Sequence, residues 1–238
     1  MSSANTAPRL HGNTDPMNLP ARLPETMIFD WDGTLADSFV FLNLAHNHVR
    51  DVFGMDPMTH EEFKYYFGKP REVLYKVMYE SRAEEAKTHF ESYVVANHHK
   101  LEPLEGAGTL LQSLHEAGVV MSVVTNKRSK FVTAEIENMG WGGYFASVVG
   151  AGEAKADKPD TAPLLLALEK GGIANNPAHT WFIGDTDIDL LCARAFGCHA
   201  VLIGETPERQ SWIEEYNPLM AFKTLPEFHK EILQIAAK

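Results

Sequence analysis

Apolar positions along this chain follow two different rhythms. From Ala36 to about Leu101 they recur at helical spacing, with Leu42, Ala45, Val49 and Phe53 forming one stripe that Gly54 closes. Phe63, Tyr66 and Phe67 precede Gly68, then Val73, Leu74, Val77 and Met78 make a second stripe and Ala86, Phe90 and Val94 a third. No strand is predicted in this stretch. After Pro103 the rhythm changes. Helical stretches at 109–117, 130–139, 163–170 and 189–196, each closed by glycine, alternate with short apolar runs at 119–124, 145–149, 180–183 and 199–203. Short β-branched runs separated by helices predict a parallel sheet with crossovers. Leu225, Phe228, Ile232 and Ile235 mark a last amphipathic helix. One earlier run, Met27 to Phe29, reads as a buried strand, so the helical stretch is an insertion after the first strand.

That first strand ends in Asp30-Trp31-Asp32-Gly33-Thr34-Leu35, followed by Asp37-Ser38. An acid inside a parallel sheet needs partners, so Asp30 and Asp32 are expected at the carboxyl end of the strand, where open α/β sheets bind ligands. Gly33 permits a sharp reversal that lets backbone amides approach a substrate. Two carboxylates this close repel unless a cation or a shared proton separates them, and oxygen ligands favour Mg²⁺. Taken alone, Asp-x-Asp-Gly also fits a surface turn.

Three later strand ends carry polar residues as well. Thr125-Asn126-Lys127 follows the second run, and a hydroxyl with backbone amides there can hold a phosphoryl oxygen. The same residues could equally cap the next helix. Lys158 stands in Asp157-Lys158-Pro159, and a cluster of aspartates needs such a fixed cation. Gly184-Asp185-Thr186-Asp187-Ile188-Asp189 puts three acids in five residues directly after a buried run. A helix N-terminus suits acids, yet their position after the run points to a metal.

Composition narrows the field only slightly. The 238 residues are 45% hydrophobic and 22% charged, ordinary for a globular chain. A net charge of −11 argues against a nucleic-acid surface. Cys192 and Cys198 form no disulfide framework, which fits a reducing cytosol. No apolar run is long enough to span a membrane, and residues 1–24, punctuated by Pro8, Pro16, Pro20 and Pro24, contain no secretory core and read as a flexible tail or a surface strap. His46 with His48, and His98 with His99, lack metal-ligand spacing and read as surface histidines.

Together the four strand ends resemble the haloacid dehalogenase-like hydrolases. Asp30-Trp31-Asp32-Gly33-Thr34 resembles the family's first motif, Thr125 its second, Lys158-Pro159 its third, and Asp185 with Asp189 its fourth. The resemblance implies an α/β fold, a Rossmann-like doubly wound parallel sheet with a central first strand and an inserted all-helical cap. It divides the chain into a tail at 1–24, a core at 25–36 and 102–238, and a cap at 37–101. It implies a phosphatase of the phosphoglycolate-phosphatase kind, with Asp30 as nucleophile and Asp32 as general acid/base. Thr125, Asn126 and Lys158 would grip phosphoryl oxygens, with Gly33 beside them. Mg²⁺ would be held by Asp30, Asp185 and the Asp32 backbone carbonyl, with Asp189 orienting Lys158 or the metal's surroundings.

Other chemistries share parts of this pattern. Dehalogenases and phosphonatases of the family lack an acid at the position of Asp32, although Asp30-Trp31 is similar to phosphonatases and Lys69 could stand for their cap lysine. A β-phosphoglucomutase-like mutase uses the same carboxylate pair. A phospho-receiver domain needs neither the insertion nor the fourth motif. Lys69 and Arg71, after Gly68, are the expected cap contacts for an anionic leaving group. The expected partner is a small phosphorylated metabolite, with no nucleic acid and no membrane, and the chain is expected to act in the cytoplasm as a monomer or homodimer.

Overall fold

The first strand, β1 (Thr26–Phe29), is buried at all four positions. Such a strand needs neighbours on both edges and cover on both faces, and it has them. The computed structural model describes residues 20–66 and 71–238, with Arg71 and Glu72 as backbone only. Phe67, Gly68 and Lys69 therefore lie outside the described residues, as does most of the expected tail. Leu23 packs against the core and Pro24 is buried, while Ala21 and Arg22 are exposed.

Two strands flank β1 in space, β2 (Val120–Arg128) on one edge and β4 (Thr180–Gly184) on the other, and β3 (Phe145–Ala151) lies beyond β2. With β5 (His199–Ile203) and β6 (Met220–Phe222) the sheet order is β3-β2-β1-β4-β5-β6, and every pair is parallel. The first strand is central, as expected, and the order reverses between β1 and β4. Open sheets bind ligands at that switch point. Phe29 pairs with Val123 and with Ile183, so β1 stops one residue short of the end of β4 and five short of the end of β2.

Alternate side chains enter opposite faces of the sheet. Met27, Phe29, Val123 and Ile183 join one cluster with α5 (Ala107–Glu116), α6 (Ser129–Asn138) and α10 (Leu225–Ala236). Ile28, Val124, Val149 and Phe182 join another with α7 (Ala162–Gly171) and α8 (Asp187–Phe196). The predicted alternation of helices and strands is this double winding.

Between β1 and β2 stand α1 (Ser38–Val52), α2 (His60–Lys64), α3 (Arg71–Tyr79) and α4 (Ala83–Asn97), with no strand among the described residues of this stretch. They enclose a small core of their own around Val49, Phe63, Leu74, Tyr75 and Met78. Phe41, Ala45 and Val94 pack instead into the sheet cluster, so the helical insertion and the sheet share apolar contacts. No helix among the described residues is long and apolar enough to cross a membrane.

Three local expectations need correction. His46 is buried at 3% exposure, where Nδ1 meets Tyr79 Oη at 2.9 Å and its ring packs on Phe90, while His48 is exposed. β2 runs on through Thr125-Asn126-Lys127 with a register shift against β3, and α6 starts after Arg128 without a side-chain cap. Capping is therefore not what Thr125 and Asn126 do. Between 204 and 224 the structure adds α9 (Arg209–Tyr216) and β6, which no periodicity announced. Neither α9 nor the edge strand β6 has a fully buried residue, so neither needs an apolar stripe.

Candidate active site

β1 ends in a tight loop over the switch point. The amides of Thr34, Leu35 and Ala36 all donate to Trp31 O, at 3.2, 2.9 and 3.0 Å, and Gly33 N donates to Ala36 O. Gly33 sits at φ +80°, in the left-handed region that glycine tolerates. A Cβ there would stand 2.9 Å from Asp185 Cγ and closer still to Oδ2. Only glycine lets the β1 loop lie this near the acid that leaves β4. Thr34 Oγ1 completes the contact, donating to Asp185 Oδ1 at 3.1 Å.

Asp30, Asp185 and Asp189 come together here, with one carboxylate oxygen from each within 4.8 Å of the others. They arrive from β1, the end of β4 and the first turn of α8. Lys158 reaches in between, with Nζ 2.7 Å from Asp30 Oδ1 and 2.7 Å from Asp189 Oδ1. Burial pushes the Asp30 carboxyl up to about 6, helped by the Asp189 charge and opposed by Lys158 and the Trp31 amide. Burial also holds Asp185 well above the usual carboxylate range, together with the Asp30 and Asp189 charges. Burial works against the Lys158 ammonium, but Asp189 and Asp30 outweigh it and raise its pKa.

The acids have different freedom. Asp189 is fully engaged: Oδ1 meets Lys158, and Oδ2 accepts from Thr186 N at 3.1 Å and Thr186 Oγ1 at 2.8 Å in a capping box. It holds Lys158 and the start of α8 in place. Asp30 has Lys158 as its side-chain partner and Asp185 has Thr34. Three buried carboxylates against one ammonium leave an excess of negative charge with oxygen donors only. That donor set fits a hard divalent cation.

Thr125 is buried at 4% exposure, and its Oγ1 accepts from Lys127 N at 3.2 Å. Asn126 pairs with the backbone of Lys158. Its Nδ2 donates to Lys158 O and its Oδ1 accepts from Lys158 N, both at 3.0 Å. The side chain clamps the lysine's backbone to β2, and so acts on the site through Lys158.

Asp32 belongs to a second group. Its Oδ1 accepts from Ser38 Oγ and from Lys127 Nζ at 2.8 Å. Lys127 Nζ also lies 2.8 Å from Glu135 Oε2, and Trp31 Nε1 donates to that same oxygen at 2.7 Å. Burial pushes Glu135 up to about 7 against the pull of Lys127. Lys127 and Glu135 were not singled out by sequence reasoning. One signal was available: Glu135 shares the apolar face of Phe131, Val132 and Ile136, a position where an acid needs a partner.

Comparison with known proteins agrees with this picture. The profile of the haloacid dehalogenase-like hydrolase family matches residues 27–203. Phosphoglycolate phosphatase 1 of Pseudomonas aeruginosa is 32% identical over 195 residues, covering 77% of this chain and 71% of that protein. The phosphoglycolate phosphatase of Vibrio cholerae is 31% identical over 185 residues, covering 72% of this chain and 80% of that one. Among solved structures, a haloacid dehalogenase-like family hydrolase from Streptococcus pneumoniae superposes with a TM-score of 0.74 at 22% identity, covering 87% of this chain and 96% of that chain. At that identity the likeness speaks for the fold alone.

Proposed function

The chain belongs to the haloacid dehalogenase-like hydrolase family and is an enzyme of the phosphatase kind, and from that premise we propose that it hydrolyses a small phosphorylated metabolite, a phosphoglycolate-like monoester, through an aspartyl-phosphate on Asp30. The observation that carries this reading is the trio Asp30, Asp185 and Asp189 around Lys158 at the switch point of the sheet.

In this reading Asp30 attacks phosphorus and the ester oxygen departs. Asp32 protonates that oxygen, then takes a proton from the water that opens the phosphoenzyme. Lys158 and Thr125 face the non-bridging oxygens, and Gly33 lets the β1 loop close against Asp185 beside them. Asp30, Asp185 and the Asp32 backbone carbonyl would hold Mg²⁺, which would supply charge neutralisation at the transferring group. Asp189 and Asn126 keep Lys158 in register from its two ends. The helices between β1 and β2 cover the site and read the leaving group.

The test is a panel of small phosphate monoesters assayed with Mg²⁺ and with excess chelator. Turnover of at least one carboxylated monoester in Mg²⁺, lost in chelator and lost in Asp30→Asn, supports the reading. Turnover that survives complete metal removal, or an Asp30→Asn variant as fast as wild type, refutes it. A sugar phosphate in the panel returned with its phosphate on a different hydroxyl would favour the mutase alternative.

A further inference from the structure

Trp31, Glu135, Lys127 and Asp32 form a closed loop of contacts. Trp31 and Asp32 are neighbours in the chain. The Trp31 indole donates to Glu135 Oε2 at 2.7 Å, that oxygen meets Lys127 Nζ at 2.8 Å, and Lys127 Nζ meets Asp32 Oδ1 at 2.8 Å. The loop draws on three elements: the β1 loop, the end of β2 and the middle of α6.

Exposure falls steadily along it. The Asp32 side chain is 28% exposed, Lys127 10%, and Glu135 0%. Glu135 thus anchors the network in the core, Lys127 carries the anchor outward, and Asp32 stands at the open end. Stability gives little reason for such a pair. A buried ion pair scarcely outweighs its desolvation penalty, and an apolar pair of similar volume would serve the core as well. Glu135 also leaves Oε1 with no partner among the described residues, a cost that packing alone does not explain. What the pair does supply is a fixed ammonium beside a partly exposed carboxylate. Among the described residues, Asp32 would otherwise be restrained only by the Ser38 hydroxyl at the start of α1.

We infer that Lys127, fixed by Glu135, is a positioning residue that aims the Asp32 carboxyl at the leaving-group oxygen. This rests on the phosphatase reading above, in which Asp32 is the acid. The need for a well-aimed acid depends on the leaving group. An alkoxide is a poor leaving group and must be protonated as the P–O bond breaks. A nitrophenolate departs without help. Loss of the aim therefore falls on alkyl esters and spares nitrophenyl esters. A pair that merely holds the core together would affect both alike.

The experiment compares kcat/KM for an alkyl phosphate and for 4-nitrophenyl phosphate, since kcat/KM covers only the steps up to departure of the leaving group. Lys127→Met is expected to lower the alkyl value by about 10², the low end for lost acid help, and the nitrophenyl value by no more than about threefold. KM for the alkyl ester should stay near wild type, because phosphoryl contacts are untouched. Lys127→Arg, which keeps the charge, should recover most of the loss. Lys127→Met combined with Glu135→Gln removes both buried charges, guards against misfolding, and should show the same selectivity as Lys127→Met. Equal losses on both esters, or no loss on either, would overturn the inference while leaving the phosphatase reading intact. Wild-type protein inactive on every monoester would overturn that reading and this inference with it.

Discussion

Lys158→Met is the most informative single substitution for the electrostatics of the site. The methionine keeps most of the side-chain volume and removes the ammonium. In the wild type Nζ lies 2.7 Å from Asp30 Oδ1 and 2.7 Å from Asp189 Oδ1, with side-chain exposures of 3% for the lysine, 10% for Asp30 and 2% for Asp189. Coulomb's law with an effective dielectric constant of ~20 gives roughly 6 kcal/mol of gross attraction for each contact. Desolvation of the three groups offsets much of this, and breaking a buried pair from one side costs about 3–5 kcal/mol net. A domain of this size starts with roughly 5–15 kcal/mol of stability, so the variant should still fold.

The loss should depend on pH in a definite direction. Asp30, pushed up to about 6, and Asp185, held above its usual range, both have folded pKa values above the unfolded ones. For such acids the stability present at low pH is lost as pH rises through the folded value. Removing Lys158 takes away the largest influence that lowers the Asp30 pKa, so the variant should lose stability over a wider rise in pH than wild type. Urea unfolding in chelator at pH 5 and pH 8 measures this. The difference between variant and wild type should be larger at pH 8, and Asp189→Asn added to Lys158→Met should recover part of it. A Lys158→Met protein within about 1 kcal/mol of wild type at pH 8, the scale of an exposed ion pair, would refute the reasoning.

Other outcomes follow from the same geometry. Wild-type protein in chelator should lose stability between pH 4 and pH 7, and Mg²⁺ added at pH 7 should restore it by preferential binding to the folded state; a flat urea midpoint across that range would contradict both. Trp31→Phe should cost about 1.5–3 kcal/mol in urea unfolding, the value of a buried hydrogen bond to a charged group, and a neutral result would show that the indole contact to Glu135 is idle. Gly33→Ala should destroy activity, because its Cβ would stand against the Asp185 carboxylate, whereas Gly118→Ala, also at positive φ but with open space around it, should cost only about 1–2 kcal/mol of stability; equal effects on activity would remove the steric argument.

The chain's own pattern determined the type and order of most elements. A short apolar run followed by an amphipathic stripe can bury its faces in only a few ways, so the parallel sheet and the helical insertion were legible before any coordinates, while the central place of the first strand was implied by the family resemblance. Placement of Asp30 and Asp185 at strand ends was legible too, because acids cannot remain inside an apolar strand unpaired, and Lys158 and Asp189 follow in the segments after β3 and β4. What escaped was whatever depends on partners distant in sequence. α9 and β6 bury no residue fully and so carry no period. His46 read as a surface residue because nothing nearby announces Tyr79, 33 positions on. The contact of Asn126 with the Lys158 backbone spans 32 positions and nothing local announces it. The Trp31–Glu135 contact spans 104 and Lys127–Asp32 spans 95. Periodicity reports which face of an element is buried; which polar group waits on that face is decided only when the elements dock.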